Sequence, residues 1–220
     1  MDLNVVLNGE NKRIEVERFI HNVFLNQYGA DVHEFLPWLL SIHDKNGNIN
    51  SALGLRSAGD DTLFLEQYLN TSIEETASGI IGKDIKREEI IEVGNLAAVS
   101  LGGARLLIYM LTAFLRGAGY KWVVFTAPSL LVNSFKRLEL PLYHLANATI
   151  ESLDNNNADW GDYYDHKPQV VIGNVDKGFE VLGGPQNLDR AGAAMVWNQA
   201  YSKGYMCRVE RNNIIPKMVA

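Results

Sequence analysis

The chain has 220 residues, of which 47% are hydrophobic and 21% charged, with a net charge of −6. This fits one globular domain large enough to bury its core without metal or disulfide staples, and it excludes a general nucleic-acid binder, which needs a basic face. The single cysteine, Cys207, has no internal partner, there is no signal-like N-terminus, and no apolar run nears the roughly 20 residues of a bilayer span, so a cytoplasmic protein is expected.

Residues 11–28 carry Val16, Phe19, Ile20, Val23 and Phe24 at helical spacing, with Arg13 and Glu17 between them, and predict an amphipathic helix stopped near Gly29. Two apolar runs, 35–44 and 49–57, flank Lys45-Asn46-Gly47-Asn48. Asn-Gly between such runs predicts a β-hairpin, because both residues tolerate positive φ. Residues 63–69, LFLEQYL, fit either a strand or a helix. Ser72 followed by Glu75 reads as a capping box opening a short helix that covers Ile73, Ala77 and Ile80. Residues 89–99, EIIEVGNLAAV, read as a mostly buried strand.

A turn at 100–103 then leads into the clearest helix, 104–115. Its expected core face is Leu107, Met110, Leu111, Phe114 and Leu115, its expected outer face Arg105, Tyr109, Thr112 and Arg116, and Gly117 and Gly119 end it. A second buried strand follows at 120–127, a helix at 129–138 and a third strand at 169–175. A Gly183-Gly184-Pro185 turn precedes a helix over about 187–203. An antiparallel hairpin followed by a strand–helix–strand–helix–strand unit predicts an α/β (α+β) domain with a mixed sheet.

The centre of chemical interest is EVGNLAAVSLGGAR, residues 92–105. A buried strand running into a glycine-containing helix start would present the backbone N–H groups of Leu101, Gly102, Gly103, Ala104 and Arg105 where the helix dipole is positive. A pyrophosphate fits there, with Arg105 adding charge; a plain tight turn of small residues is the competing reading. Glu92 lies in an otherwise apolar strand, where desolvation would raise its pKa towards that of a general base. An edge glutamate paired with a cation is the alternative. Glu66, flanked by aliphatic and aromatic residues, is a second acid, placed to hold an acceptor amine or simply to sit on a helix surface. Trp160, Tyr163 and Tyr164 in WGDYY could wall a substrate pocket or supply a tyrosine as general acid, or tack a loop onto the sheet. Tyr143 is a rival acid. His21, His33, His43, His144 and His166 follow neither HxxxH nor HExxH spacing, so no metal site is expected. The sequence has no Gly-x-Ser-x-Gly elbow, and no histidine lies near Cys207, which disfavours covalent hydrolysis.

The strand, glycine turn and helix resemble the acyl-coenzyme-A N-acyltransferase (GNAT-like) superfamily, with Gly102 and Ala104 at its small positions and Val99 where Gln or Arg is usual. TAPSLLVNSFKRLEL resembles that superfamily's next strand and helix, where Asn133 matches an asparagine facing the cofactor arm. Glu92-Val93-Gly94-Asn95 is similar to the corresponding strand of acyl-homoserine-lactone synthases, with Asn95 replacing an arginine. That places Asn95 at the acyl acceptor. The strings LFLEQYL, IIEVGNLAA, WVVFTA and WGDYY, in this order and spacing, resemble the thermostable haemolysin family.

These resemblances imply a GNAT-like acyltransferase fold with a mixed, mostly antiparallel central sheet flanked by helices. It would span residues 1–180, with 181–220 as a helical extension packed on it. They imply an N-acyltransferase taking its acyl group from coenzyme A or from the phosphopantetheine of an acyl carrier protein, with a small amine as acceptor and no metal. A membrane-active haemolysin and a non-catalytic thioester-binding module are the alternatives.

Overall fold

The computed structural model describes residues 2–6, 12–153, 159–185, 187–188 and 194–218. Seven strands form one sheet: β1 (Asp2–Val6), β2 (Trp38–His43), β3 (Ile49–Ser57), β4 (Ile90–Ala98), β5 (Trp122–Ala127), β6 (Leu142–Asn147) and β7 (Gln169–Asn174), in the order β1-β2-β3-β4-β5-β7-β6. The β2–β3 hairpin forms as its Asn-Gly turn predicts, with Gly47 at φ 87°.

Among the described residues only β4 and β5 are parallel neighbours; all other pairs are antiparallel. The expected run of parallel neighbours therefore stops at β5. β6 is not apparent in the sequence, because its half-exposed LYHLAN lacks the continuous apolar signal of its neighbours. β7 slots between β5 and β6, antiparallel to both. β1 is equally inconspicuous, because five residues give too short a pattern.

Helices α1 (Arg13–Tyr28), α2 (Ile73–Ile81), α3 (Leu101–Ala118), α4 (Ser129–Arg137), α5 (Val175–Leu182) and α6 (Ala194–Met218) cover the sheet. Val16, Ile20, Val23 and Phe24 of α1 pack with Leu39, Ala52 and Ala97, and Gly29 ends the helix with its left-handed cap. On α2 the expectation fails in two respects. Ile80 is 47% exposed, and Ser72 makes no side-chain cap; instead the Ile73 N–H donates to Glu66 Oε1.

α3 is buried on both sides. Tyr109, expected on the outer face with Arg105, is 1% exposed, because α6 lies along that face and sets Trp197 edge-on at 6.3 Å. The two helices touch through glycine: a Cβ on Gly117 would stand 2.2 Å from the Tyr201 carbonyl oxygen, and one on Gly204 2.0 Å from that of Phe114. Gly117 thus lies inside α3 rather than ending it, and α6 runs past the expected stop at 203 to Met218. Residues 189–193 of that expected helix lie outside the described residues.

Candidate active site

The parallel pair opens the molecule. β4 and β5 are hydrogen-bonded only across Ile90–Val93 and Trp122–Phe125. Beyond Val93, β4 continues on β3 alone and β5 on β7 alone, so the strands part. β4 is also bulged here, since the β3–β4 register slips between Ala52 and Gly54. Asn95 takes up the slip at φ 52°, a conformation that asparagine tolerates better than most residues. Its side chain then clamps the preceding loop, accepting from Leu36 N at 3.0 Å and donating to the Glu34 carbonyl at 3.1 Å. Gly54 and Gly94 are small for the same reason: a Cβ on either would come within 3.0 Å of Leu36. Asn95 therefore shapes the wall with its side-chain oxygen already engaged.

A cavity of about 1110 Å³ fills the gap. Its deep part is apolar, lined by Leu107, Leu111, Leu115, Phe125 and Phe135 among others, and its mouth carries Arg105 and Arg137. Glu92 stands inside it, 3% exposed, where β4 still pairs with β5. Burial pushes its carboxyl above the ordinary carboxylate range, against the lowering by two backbone hydrogen bonds and by the Arg56 charge. Those bonds come from Leu65 N to Oε1 at 2.9 Å and from Phe64 N to Oε2 at 3.0 Å. Each oxygen retains a lone pair, and no cation closes on it at ion-pair distance among the described residues. The edge-glutamate reading fails.

Arg56, paired with Glu92 across β3 and β4, also lines the cavity, and its buried Nε has no hydrogen-bond partner. Only the cross-strand register brings it there, and a linear sequence does not display register. Trp160, Tyr163 and Tyr164 do gather beside the glutamate, with Phe64 and Tyr68. The Tyr68 and Tyr164 hydroxyls are 2.6 Å apart and both phenols are raised, chiefly by burial, so they stay protonated at neutral pH. The buried Trp160 Nε1 has no partner.

At the mouth, α3 starts at Leu101, three residues earlier than expected, with Ser100 as N-cap accepting from Gly103 N at 3.1 Å. Ala104 N bonds the Ser100 carbonyl. Among the described residues no protein group takes the N–H of Leu101 or Gly102. A Cβ on Gly102 would find nothing nearer than Ser100 Oγ at 3.8 Å, so the backbone is open to a ligand. Leu101, Ala104 and Arg105 line the cavity.

Three expected site residues stand elsewhere. Glu66 faces a separate surface depression with Asp60, Asp61 and Arg87. Its oxygens accept from Leu63 N, Ile73 N and both terminal nitrogens of Arg87, at 2.6–2.9 Å. Desolvation opposes ionisation, but these hydrogen bonds outweigh it and hold the pKa at about 2. With its acceptor capacity filled, it has none left for an amine. Asn133 lies on the exposed face of α4, whereas Leu130, Leu131 and Ser134 face the cavity. Tyr143 is 41% exposed on edge strand β6 and lies outside the cavity lining.

The fold is similar to those of solved acyl-homoserine lactone synthases. The coenzyme-A-dependent synthase BjaI, solved with SAM and isopentyl-CoA, superposes with a TM-score of 0.58 at 12% identity, over 86% of this chain and 89% of that one. TofI in its apo form gives 0.54 at 12% identity, over 85% and 99%. FeeM, an N-acyl amino acid synthase from uncultured soil microbes, gives 0.55 at 12% identity, over 81% and 97%. The sequence profile of the thermostable hemolysins matches residues 6–179, and the chain belongs to that family. No curated protein sequence matches it.

Proposed function

We propose that the protein is an N-acyltransferase that moves an acyl group from a thioester of coenzyme A or of an acyl carrier protein to a small amine. The observation that carries this reading is a buried glutamate of raised pKa in the same cavity as an open helix N-terminus, at the point where β4 and β5 separate. The gap between the strands suits an extended pantetheine arm, whose amides would bond the edges freed on β4 and β5. The N–H groups of Leu101 and Gly102, with Arg105, would hold its phosphates. The apolar depth behind Leu107, Leu111 and Phe125 would take the acyl chain.

Glu92 then draws a proton from the acceptor's ammonium, directly or through one water. The amine nitrogen attacks the thioester carbonyl, the C–N bond forms and the C–S bond breaks. Tyr164, backed by Tyr68, gives a proton to the departing thiolate and recovers one, through water, from the second N–H proton that the nitrogen sheds as the amide forms. Arg56 and the indole N–H of Trp160, both with unsatisfied N–H groups, are the acceptor's anchors. The named activities of FeeM and BjaI support acyl transfer to an amine.

The test is thiol release from a panel of acyl-CoA and acyl-carrier-protein thioesters, each offered with a panel of amines and amino acids, with the acylated product identified by mass spectrometry. Turnover with one pair is the expected result. Thioesters left intact across chain lengths and amines would remove the proposal, and tight coenzyme A binding without turnover would leave a binding module in its place.

A further inference from the structure

The histidines follow no metal-binding spacing, yet the fold gathers three ligand groups at the rim of the cavity. Gly29 closes α1 in the left-handed conformation at φ 64° and turns the chain back over the helix. That return brings Asp31 and His33 above His21. Asp31 Oδ1 lies 2.9 Å from His33 Nε2 and 3.6 Å from His21 Nδ1. The two imidazoles stack with centroids 5.2 Å apart, and one ligand atom from each of the three residues falls within 4.8 Å of the others.

Ligands on a tetrahedral zinc ion, with bonds of about 2.0–2.1 Å, stand roughly 3.3 Å from one another. The two measured separations bracket that value. Two imidazoles with one carboxylate select a transition metal over magnesium or calcium, which prefer all-oxygen sets. We infer that His21, Asp31 and His33 form a binding site for a divalent transition-metal ion of the zinc class, with one coordination position facing the cavity mouth.

His21 Nδ1 is 3.1 Å from the Val32 carbonyl oxygen, where it holds its proton when no ion is bound. On binding, that proton moves to Nε2 and frees the Nδ1 lone pair for the ion, and His33 offers its Nε2 lone pair as the Nδ1–H tautomer. The site also has a mechanical consequence. Asp31 N donates to the Asp159 carbonyl at 2.6 Å, and Trp160, Tyr163 and Tyr164 follow immediately in the chain. An ion on Asp31 therefore fastens α1, the returning loop and the aromatic wall to one another.

The experiment uses the full chain stripped with EDTA and titrated separately with ZnCl2 by calorimetry and with CoCl2 by visible absorption. One ion per chain is expected, with the d–d bands of a low-coordinate Co²⁺ site and a thermal midpoint raised by Zn²⁺. His33→Ala and Asp31→Asn should each weaken binding by more than about tenfold, whereas His166→Ala, at the cavity but outside the triad, should leave it unchanged. His33 is 72% exposed and Asp31→Asn is isosteric, so both variants keep the wild-type circular dichroism. Absence of saturable binding, or binding equally tight in His33→Ala and Asp31→Asn, overturns the site.

Discussion

Glu92 and Glu66 sit on neighbouring segments, and their environments push them in opposite directions. Glu92 is buried with two neutral N–H donors, so desolvation dominates and the carboxyl is raised. A base of this kind works only when deprotonated, so the acid limb of the pH–rate profile should lie above the ordinary carboxylate value of 4.5. Glu92→Gln should lower kcat by about 10²–10⁴-fold and abolish that limb; an unchanged profile in steady-state assays would assign the base elsewhere. Glu66 is held at about 2 by its hydrogen bonds. A depressed carboxyl stabilises the fold above its unfolded pKa of 4.5 and loses that contribution as the pH falls towards 2. Arg87→Ala should therefore cost about 2 kcal/mol at neutral pH, with the deficit shrinking in acid, as measured by urea unfolding across pH. The sequence disclosed Glu92 because a lone carboxylate in IIEVGNLAA is conspicuous. It disclosed Glu66 only as an acid among apolar neighbours, since Arg87 reaches it from another element.

At the scale of elements, the site depends on how α3 begins and how β4 ends. The turn expected at 100–103 is a capped helix start, because Ser100 can serve as N-cap and both glycines fit helical geometry. Gly102 has open space around its missing Cβ, so Gly102→Val fits the empty protein but intrudes where a phosphate would sit. The KM for the acyl donor should rise about tenfold or more while the unfolding midpoint stays near that of the parent. If KM is unmoved, the donor does not bind at this helix start. α4 forms as its pattern predicts, but Asn133 stands on its exposed face and Leu131 and Ser134 on the face towards the cavity. A nine-residue amphipathic stretch with Leu130, Leu131, Val132 and Phe135 offers nearly equivalent rotations, and packing against β5, with Phe135 5.0 Å from Phe125, decides among them.

Across the whole molecule, strands with continuous apolar runs were legible, whereas β1 and β6 at the sheet's two edges were not, because edge strands need little burial to form. On α3 the core face was legible, since Leu107, Met110, Leu111, Phe114 and Leu115 are all buried, whereas the covering of its other face was not. Tyr109 reads as a surface residue until α6, from the far end of the chain, covers it. α6 is held by glycine contacts and by Lys203, which donates to the Leu3 carbonyl. Gly204→Ala forces a methyl group against the Phe114 carbonyl and should cost about 1–3 kcal/mol, lowering the thermal midpoint. Gly79→Ala on α2 meets nothing within 4 Å and should raise stability by about 0.5–1 kcal/mol. Calorimetric scans of the two variants should move in opposite directions, and a Gly204→Ala midpoint at or above wild type would show that α6 adds no stability.

The bridge between Asp31 and Asp159 joins segments 128 residues apart in the sequence (159 − 31). Closing so long a stretch of chain carries a large entropic penalty, repaid here by few backbone bonds. The aromatic wall should consequently be among the last parts to assemble and the first to open on warming. Amides near Asp159 would then exchange with deuterium well before those of the central strands, and a heated molecule would lose this wall of the cavity while its sheet remained intact.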